Sequence, residues 1–387
     1  MYNFAGIKTP FYFYDLELLE RTVAFAACHA ANHGYIIHYA IKANSNPAIM
    51  QCMLKHGFGV DCVSGNEVKS SLKLGFDPKG IVYAGVGKSD EEIEMALKND
   101  IFCLNCESVE ELQIVAGIAN RLGVQARVAL RVNPNVDAKT HRYISTGMEE
   151  NKFGISLAHI EDALSVCETQ SNLQLIGLHF HIGSQITKEE PYINLCHRAS
   201  KLWREYRMAD RGGFVLNLGG GMGIDYHNPE ENAVPDFERF FQNINNHLDV
   251  PKSVEVHFEL GRSLVGQCGS IITKVLYTKQ GVNKKFVITD AGMTELMRPA
   301  LYQAIHRVEN ISSNGTPEQY DVVGPICESS DVFVKDYTLN KTSRGDLLAI
   351  HSCGAYAESM TLNYNLRDRA GVVLSTDLNR KNSGTSY

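Results

Sequence analysis

The chain has 387 residues, 44% hydrophobic and 21% charged, a composition that can bury a sizeable core and excludes a mainly disordered chain. Its 37 basic and 44 acidic residues give a formal net charge of −7. With no basic block, this argues against non-specific binding to nucleic acid or to an anionic membrane surface.

Residues 1–10 lack a basic segment followed by an apolar one, so no signal peptide is expected. The ten cysteines then read as reduced thiols of a cytoplasmic protein. No apolar run approaches the roughly 20 residues that cross a bilayer. Residues 10–14 read as a short strand. Eight further strand-like runs follow at 36–43, 59–63, 81–85, 101–106, 126–133, 173–183, 214–219 and 253–260. Amphipathic helical stretches lie between them at 47–55, 67–74, 90–98, 109–122, 157–169, 192–208 and 237–247. Ser89 before Asp90-Glu91-Glu92, and Ser108 with Glu111 three residues on, have the spacing of helix-capping signals. Eight β–α alternations over about 240 residues are the pattern of a (β/α)8 barrel.

After Gly261 the texture changes to strand-like runs at 270–278, 285–290, 320–324, 347–351 and 371–374, separated by Gly, Asn, Ser and Thr. The expected fold is therefore α/β plus β. A (β/α)8 barrel spans 15–264, and a second, mostly antiparallel β domain is built from 1–14 and 265–387. The polar tail, 380–387, is expected to fray.

Catalytic groups of such barrels sit at the carboxyl ends of the strands. Lys42 lies at the end of the first barrel strand and Asp61 lies on the second. Arg131 and Asn133 end the fifth, His179 and His181 the sixth, Gly219-Gly220-Gly221 the seventh, and Glu259-Leu260-Gly261-Arg262 the eighth. Lys42 shares strand parity with Ile36, His38 and Ala40. It is either a lysine snorkelling to the rim or a desolvated amine that attacks a carbonyl to form a Schiff base. The glycine triplet lets backbone N–H groups approach an anion, or is a plain turn. It is no dinucleotide fingerprint, because Ile224 stands where a small residue is needed. Gly87-Lys88-Ser89 mimics the end of a P-loop, but Val82 occupies the position of its first glycine. Lysine, phosphate cradle and strand-end carboxylate together point to pyridoxal phosphate, with Glu259 facing the ring nitrogen. His179 and His181 read singly as core histidines; as a metal pair they lack a third ligand, and no metal is expected. Cys103 and Cys106 have C-x-x-C spacing without a second pair, which reads as coincidence before zinc.

Six ordered segments resemble the fold-type III pyridoxal-phosphate decarboxylases: 39–44 around Lys42, 179–185 around His181, the glycine triplet, 259–262, Cys327-Glu328-Ser329-Ser330-Asp331, and Gly354-Ala355-Tyr356. Within that family, Tyr143-Ile144-Ser145-Thr146-Gly147, Asn151-Lys152-Phe153-Gly154 and Arg298-Pro299-Ala300-Leu301-Tyr302 are similar to the branch that decarboxylates meso-2,6-diaminopimelate to L-lysine and CO2. The alternative is a relative acting on carboxynorspermidine or a basic amino acid. A diaminopimelate substrate has a distal carboxylate, for which Arg298 offers a bidentate cation.

The resemblance implies that Lys42 carries the cofactor and His181 stacks on its ring. It implies cofactor contacts from Ser184, Gly220, Gly221, Glu259, Leu260, Gly261, Arg262 and Tyr356. Arg262, Arg298, Tyr302, Glu328 and Tyr356 contact substrate. Cys327 is the acid, and it arrives with Glu328 from the second subunit of a homodimer. Two positions depart from the family pattern: Leu260 replaces a proline and Ala357 a glycine. Altered loop geometry is the most these should cause. The chain also has almost nothing before Thr9-Pro10.

Overall fold

The computed structural model describes residues 2–137 and 152–378. The segment Tyr143–Gly147, residue Asn151 and the 380–387 tail lie outside the described residues. The chain opens with strand β1 (Phe11–Tyr14) and helix α1 (Leu16–Ala31). The carboxylate of Asp15 caps α1 by accepting the amides of Glu17 and Leu18.

Eight strands follow: β2 (Ile36–Ala40), β3 (Gly59–Cys62), β4 (Ile81–Tyr83), β5 (Cys103–Cys106), β6 (Ala126–Arg131), β7 (Leu173–His179), β8 (Val215–Asn217) and β9 (Glu255–Leu260). They form a closed parallel barrel in sequence order, sealed by β2 on β9 with Ile36 opposite His257. The intervening helices are α2 (Pro47–Lys55), α3 (Gly65–Leu74), α4 (Asp90–Lys98), α5 (Val109–Leu122), α6 (Ile160–Thr169), α7 (Glu190–Glu205) and α8 (Phe237–His247). Ser89 and Glu92 close a reciprocal capping box on α4. On α5 only half the box forms. Ser108 accepts the Glu111 amide, while the Glu111 carboxylate reaches past it to the amide of Glu107.

The barrel interior is layered. Val82, Cys103, Ala129, Ile176 and Val215, from five different strands, make one apolar cluster. His38, His257 and Phe102 stack, with His38 Nε2 2.8 Å from His257 Nδ1. Cys103 and Cys106 are three residues apart on one strand, so their side chains leave opposite faces. Both thiols are buried and free, and burial pushes Cys103 up to about 12. That geometry fits no shared metal.

Among the described residues from Arg262 onward are the short helices α9 (Arg262–Val265) and α10 (Arg298–Tyr302), and seven strands. These are β10 (Gly269–Gln280), β11 (Lys285–Thr289), β12 (Val308–Asn310), β13 (Pro317–Val323), β14 (Val332–Asn340), β15 (Leu347–Ile350) and β16 (Gly371–Leu374). Their order is β12-β15-β10-β11-β13-β14, antiparallel except for β11 on β13. β1 joins this sheet, antiparallel to β10 and parallel to β16. Phe4, Phe11, Phe13, Ile272, Ala349 and Leu378 fill the core beneath it. β12 and β14 are absent from the sequence reading. In β14 the left-handed backbone at Asp336 (φ 48°) and the register shift opposite it break the alternation that marks a strand.

The chain divides into two compact units. The barrel unit is Val23–Gly223 with Asp236–Gly261. The β unit takes the residues up to Thr22, Ile224–Pro235, and those from Arg262 onward. This differs from a simple 15–264 division. The Asp15 amide donates to the Cys268 carbonyl and the Leu16 amide to Ser375 Oγ, tying the start of α1 to the β unit. Gln267 and Arg307 likewise hold the excursion at Asn232 and Glu230.

Candidate active site

Lys42 does not end a strand. β2 stops at Ala40, and one turn of 3-10 helix over Ile41–Ala43 carries Lys42 onto the barrel rim. Lys42 Nζ lies 2.9 Å from Oδ2 of Asp61, a fully buried residue of β3. Burial and then nearby Glu259 raise the Asp61 carboxyl to about 7, against the pull of Lys42. Gly261 packs against the turn that carries Lys42: a Cβ there would lie 3.1 Å from the Cβ atoms of Ala40 and Ala43. The preceding residue, Leu260, is buried and still paired in β9. Leucine therefore fits where the family has proline.

Glu259 occupies the centre of the barrel mouth. One carboxylate oxygen is 2.9 Å from His179 Nε2; the other accepts from Asn217 (2.7 Å) and Asn105 (3.2 Å). Burial alone would raise this carboxyl. The charge and hydrogen bond of His179, with Lys42, outweigh it and hold Glu259 well below the usual carboxylate range.

β7 ends at His179, so His181 stands on the loop beyond it rather than on the strand. The Gly220 amide donates to His181 Nδ1 at 3.2 Å. Burial first, then Lys42 and Arg131, keeps this imidazole neutral far below its ordinary value. Ser184 lies on the same loop, half-buried. The glycines are required here. A Cβ on Gly220 would sit 2.0 Å from the Glu259 carbonyl oxygen, and Gly221 has φ 104° with the Gly183 carbonyl 2.4 Å from where a Cβ would go.

The barrel unit thus brings together Lys42, His181, Ser184, Gly220, Gly221, Glu259, Leu260 and Gly261. An amine, a close-approach glycine loop and a buried ionised carboxylate are the donor set that pyridoxal phosphate needs. Two buried atoms beside it, Asp61 Oδ1 and His179 Nδ1, have no hydrogen-bond partner among the described residues. These residues fit the cofactor.

A second cluster forms within the β unit. Arg262, the first residue of α9, donates from Nη1 to the Tyr226 hydroxyl (2.6 Å) and lies 4.7 Å above the Tyr356 ring. Arg298 opens α10, 4.4 Å above the Tyr226 ring, and donates from Nη1 to His306 Nε2 at 2.6 Å. Tyr302 closes the same short helix. Ala357 has φ −113°, a conformation that does not call for the family's glycine.

Cys327 and Glu328 are placed elsewhere in the unit. Both are exposed, on a loop whose Cys327 amide donates to Asn365 Oδ1 and whose Glu328 carboxylate accepts from the Tyr364 hydroxyl. The structure therefore groups Arg262, Arg298 and Tyr356, and sets Cys327 and Glu328 beside Tyr364 and Asn365.

Sequence reasoning overlooked Asn105, Asn217, Tyr226 and His306. The two asparagines had a signal, since each is a polar residue inside an otherwise buried strand. Tyr226 and His306 lie outside the named strands and helices and had none.

Residues 18–266 match the family described as pyridoxal-dependent decarboxylase, pyridoxal binding domain. The chain belongs to the pyridoxal-dependent decarboxylases. Among its relatives in that family is the diaminopimelate decarboxylase of Bacteroides thetaiotaomicron, 49% identical over 97% of this chain and 98% of the relative. One from Helicobacter pylori is 42% identical over 95% of this chain and 90% of its own length. The crystal structure of diaminopimelate decarboxylase from Helicobacter pylori complexed with L-lysine superposes with a TM-score of 0.91 at 39% identity, covering 98% of both chains. The decarboxylase fold seen there, a closed parallel barrel with a second, mostly antiparallel sheet, is the fold of this chain.

Proposed function

We propose that the chain decarboxylates meso-2,6-diaminopimelate to L-lysine and CO2, the last step of lysine biosynthesis, with the roles of its residues as follows. It is a carboxy-lyase that uses pyridoxal phosphate. Lys42 would hold the cofactor, Glu259 its ring nitrogen, and Gly220, Gly221, Gly261 and Ser184 its phosphate end, with His181 against the ring and Arg262 and Tyr356 completing the set. When bound, the cofactor supplies the electron sink for the pair released as the C–CO2 bond breaks.

The chain's own residues do the rest. Asp61 steadies the Lys42 amine and offers a nearby carboxylate whose raised affinity suits it to holding a proton. His179, Asn105 and Asn217 keep Glu259 ionised and fixed in orientation. Arg298, with Arg262, Tyr302, Tyr356 and Glu328, positions the substrate. Cys327 returns a proton to the carbon that lost CO2. We place Cys327 and Glu328 in the site of the second subunit of a homodimer, because both stand exposed on their loop. We place the enzyme in the cytoplasm; among the described residues no helix is long and apolar enough to cross a membrane.

The observation that carries the substrate is Arg298. It is a buried guanidinium whose hydrogen-bond partner is a neutral imidazole and whose Nε has no partner among the described residues. Such a group is suited to the carboxylate of a second amino-acid end, whereas a diamine product end would need acids. The test is CO2 release by the holoenzyme over a panel of meso-diaminopimelate, ornithine, arginine and carboxynorspermidine. Preference for diaminopimelate is expected; faster turnover of any other panel member would overturn the assignment.

A further inference from the structure

Arg298 and His306 are both almost fully buried, 4% and 1% exposed. A buried cation is costly unless something offsets its lost hydration, and proteins usually supply a carboxylate. This chain does so elsewhere: Arg131 meets Glu107 at 2.7 Å and Lys88 meets Glu111 at 2.6 Å. Arg298 is treated differently. Its Nη1 has His306 Nε2, its face has the Tyr226 ring, and no carboxylate among the described residues pairs with it.

The tautomer of His306 follows from its neighbours. A guanidinium only donates, so Nε2 must accept. Nδ1 lies 2.9 Å from the His351 carbonyl oxygen, which only accepts, so Nδ1 carries the proton. Burial first, then Arg298 itself, pushes the imidazole down to about 3, so it stays neutral throughout the physiological range. The Tyr226 ring also packs edge-on against His306, centroids 4.8 Å apart. Arg298 is thus held on two sides by groups that fix its direction without cancelling its charge.

We propose that His306 is a positioning residue for Arg298. It aims the guanidinium and leaves its full positive charge for an α-amino-acid carboxylate, and so sets the preference for ligands that keep a carboxylated end over diamines of the same length. This rests on the reading that Arg298 receives the distal carboxylate of diaminopimelate. L-lysine keeps that carboxylate, and 1,5-diaminopentane is the same chain without it. The pair therefore isolates the contact.

The experiment uses holoenzyme and measures KM and kcat for meso-diaminopimelate, with inhibition by L-lysine and by 1,5-diaminopentane, for wild type, H306E, H306Q and R298A. H306E puts a carboxylate where the neutral acceptor was. It should raise both KM and the L-lysine inhibition constant by about tenfold or more, the scale of one lost charge-assisted contact. kcat should change by no more than about threefold, as for loss of uniform binding, and inhibition by 1,5-diaminopentane should hardly move. Gln can accept from Arg298 and donate to the His351 carbonyl, so H306Q should recover most of what H306E loses. Thermal unfolding checks each fold; if H306E does not fold, H306L, which has no acceptor, replaces it with the same expectation. Equal weakening of both inhibitors, or an H306Q no better than H306E, would overturn the proposal. R298A separates the two layers. If it leaves the ratio of the two inhibition constants unchanged, the distal-carboxylate reading fails. If it collapses the ratio while H306E does not, only the role of His306 fails.

Discussion

Asp331 is the anchor of the loop that carries Cys327. Its carboxylate is 3% exposed and accepts two backbone amides, Met293 at 2.6 Å and Ile326 at 2.7 Å. Ile326 directly precedes Cys327. The space around the carboxylate is closed by two glycines: a Cβ on Gly324 would come within 2.3 Å of it, and one on Gly292 within 2.8 Å. Asp331→Ala leaves both amides without an acceptor in that closed space. At about 1–3 kcal/mol for each buried donor left unsatisfied, the cost is roughly 2–6 kcal/mol. Asp331→Asn keeps one acceptor oxygen and turns a donor toward the other amide, so it should fall between wild type and alanine. Urea unfolding gives the stabilities, and kcat is measured where each variant remains folded. Because the freed segment carries the proposed acid, we expect kcat to fall by about tenfold or more in D331A, one power of ten for each 1.4 kcal/mol of lost positioning. A D331A enzyme destabilised by less than about 1 kcal/mol and turning over at the wild-type rate would refute the anchoring argument.

Borohydride reduction of the holoenzyme, followed by peptide mapping, should place the cofactor on Lys42; a label on another lysine would remove the basis of the site. The stacked histidines of the barrel give a pH dependence. Burial lowers His38 to about 3 and His257 to about 4, against 6.5 for the free group. The unfolded chain therefore binds more protons than the folded one between pH 6.5 and 4. Their contribution is full above 6.5 and is lost as pH falls, at about 1.4 kcal/mol per pH unit for each histidine. His257→Gln should flatten the slope of stability against pH over that window, and an unchanged slope would show that His257 is not a source of it. If sites are shared across a homodimer, K42A and C327A chains, each nearly inactive, should regain activity on mixing, to at most about a quarter of wild-type sites for random pairing. Demonstrated exchange without recovery would put Lys42 and Cys327 to work within one chain.

The parts of the fold legible in the sequence are those where a local rule acts alone. Helices α2, α4, α5 and α8 begin and end where the apolar period and the caps place them. Strand cores were legible and strand ends were not. The reading carried β2 through Lys42 and β7 through His181, because their polarity pattern continues past the last ladder hydrogen bond. α1 escaped notice although Asp15 caps it. Of the site, the lysine, the glycines and Glu259 stand at or just beyond strand ends in a recognisable order. Asp61 and Asn217 matter through contacts with a neighbouring strand, and Asn105 through one that crosses the closed barrel. Tyr226 and His306 matter only because distant turns of the β unit bring them to Arg298, and no spacing in the chain records that.

The placement of β1 fixes an order of events during synthesis. Phe11 pairs with Ile272 on one side and Gly371 on the other, so a strand made before the barrel finds its neighbours only after the barrel has been made. Every strand of the barrel is available for pairing before β10 exists. Until then Phe4, Phe11 and Phe13 lack Ile272, Ala349 and Leu378 to cover them. The nascent chain therefore carries a short aromatic, edge-forming segment ahead of the barrel while the barrel is being made, the kind of surface that holdase chaperones bind and that pairs wrongly at high concentration. A closed sheet in this unit reports that the ribosome has passed Leu374.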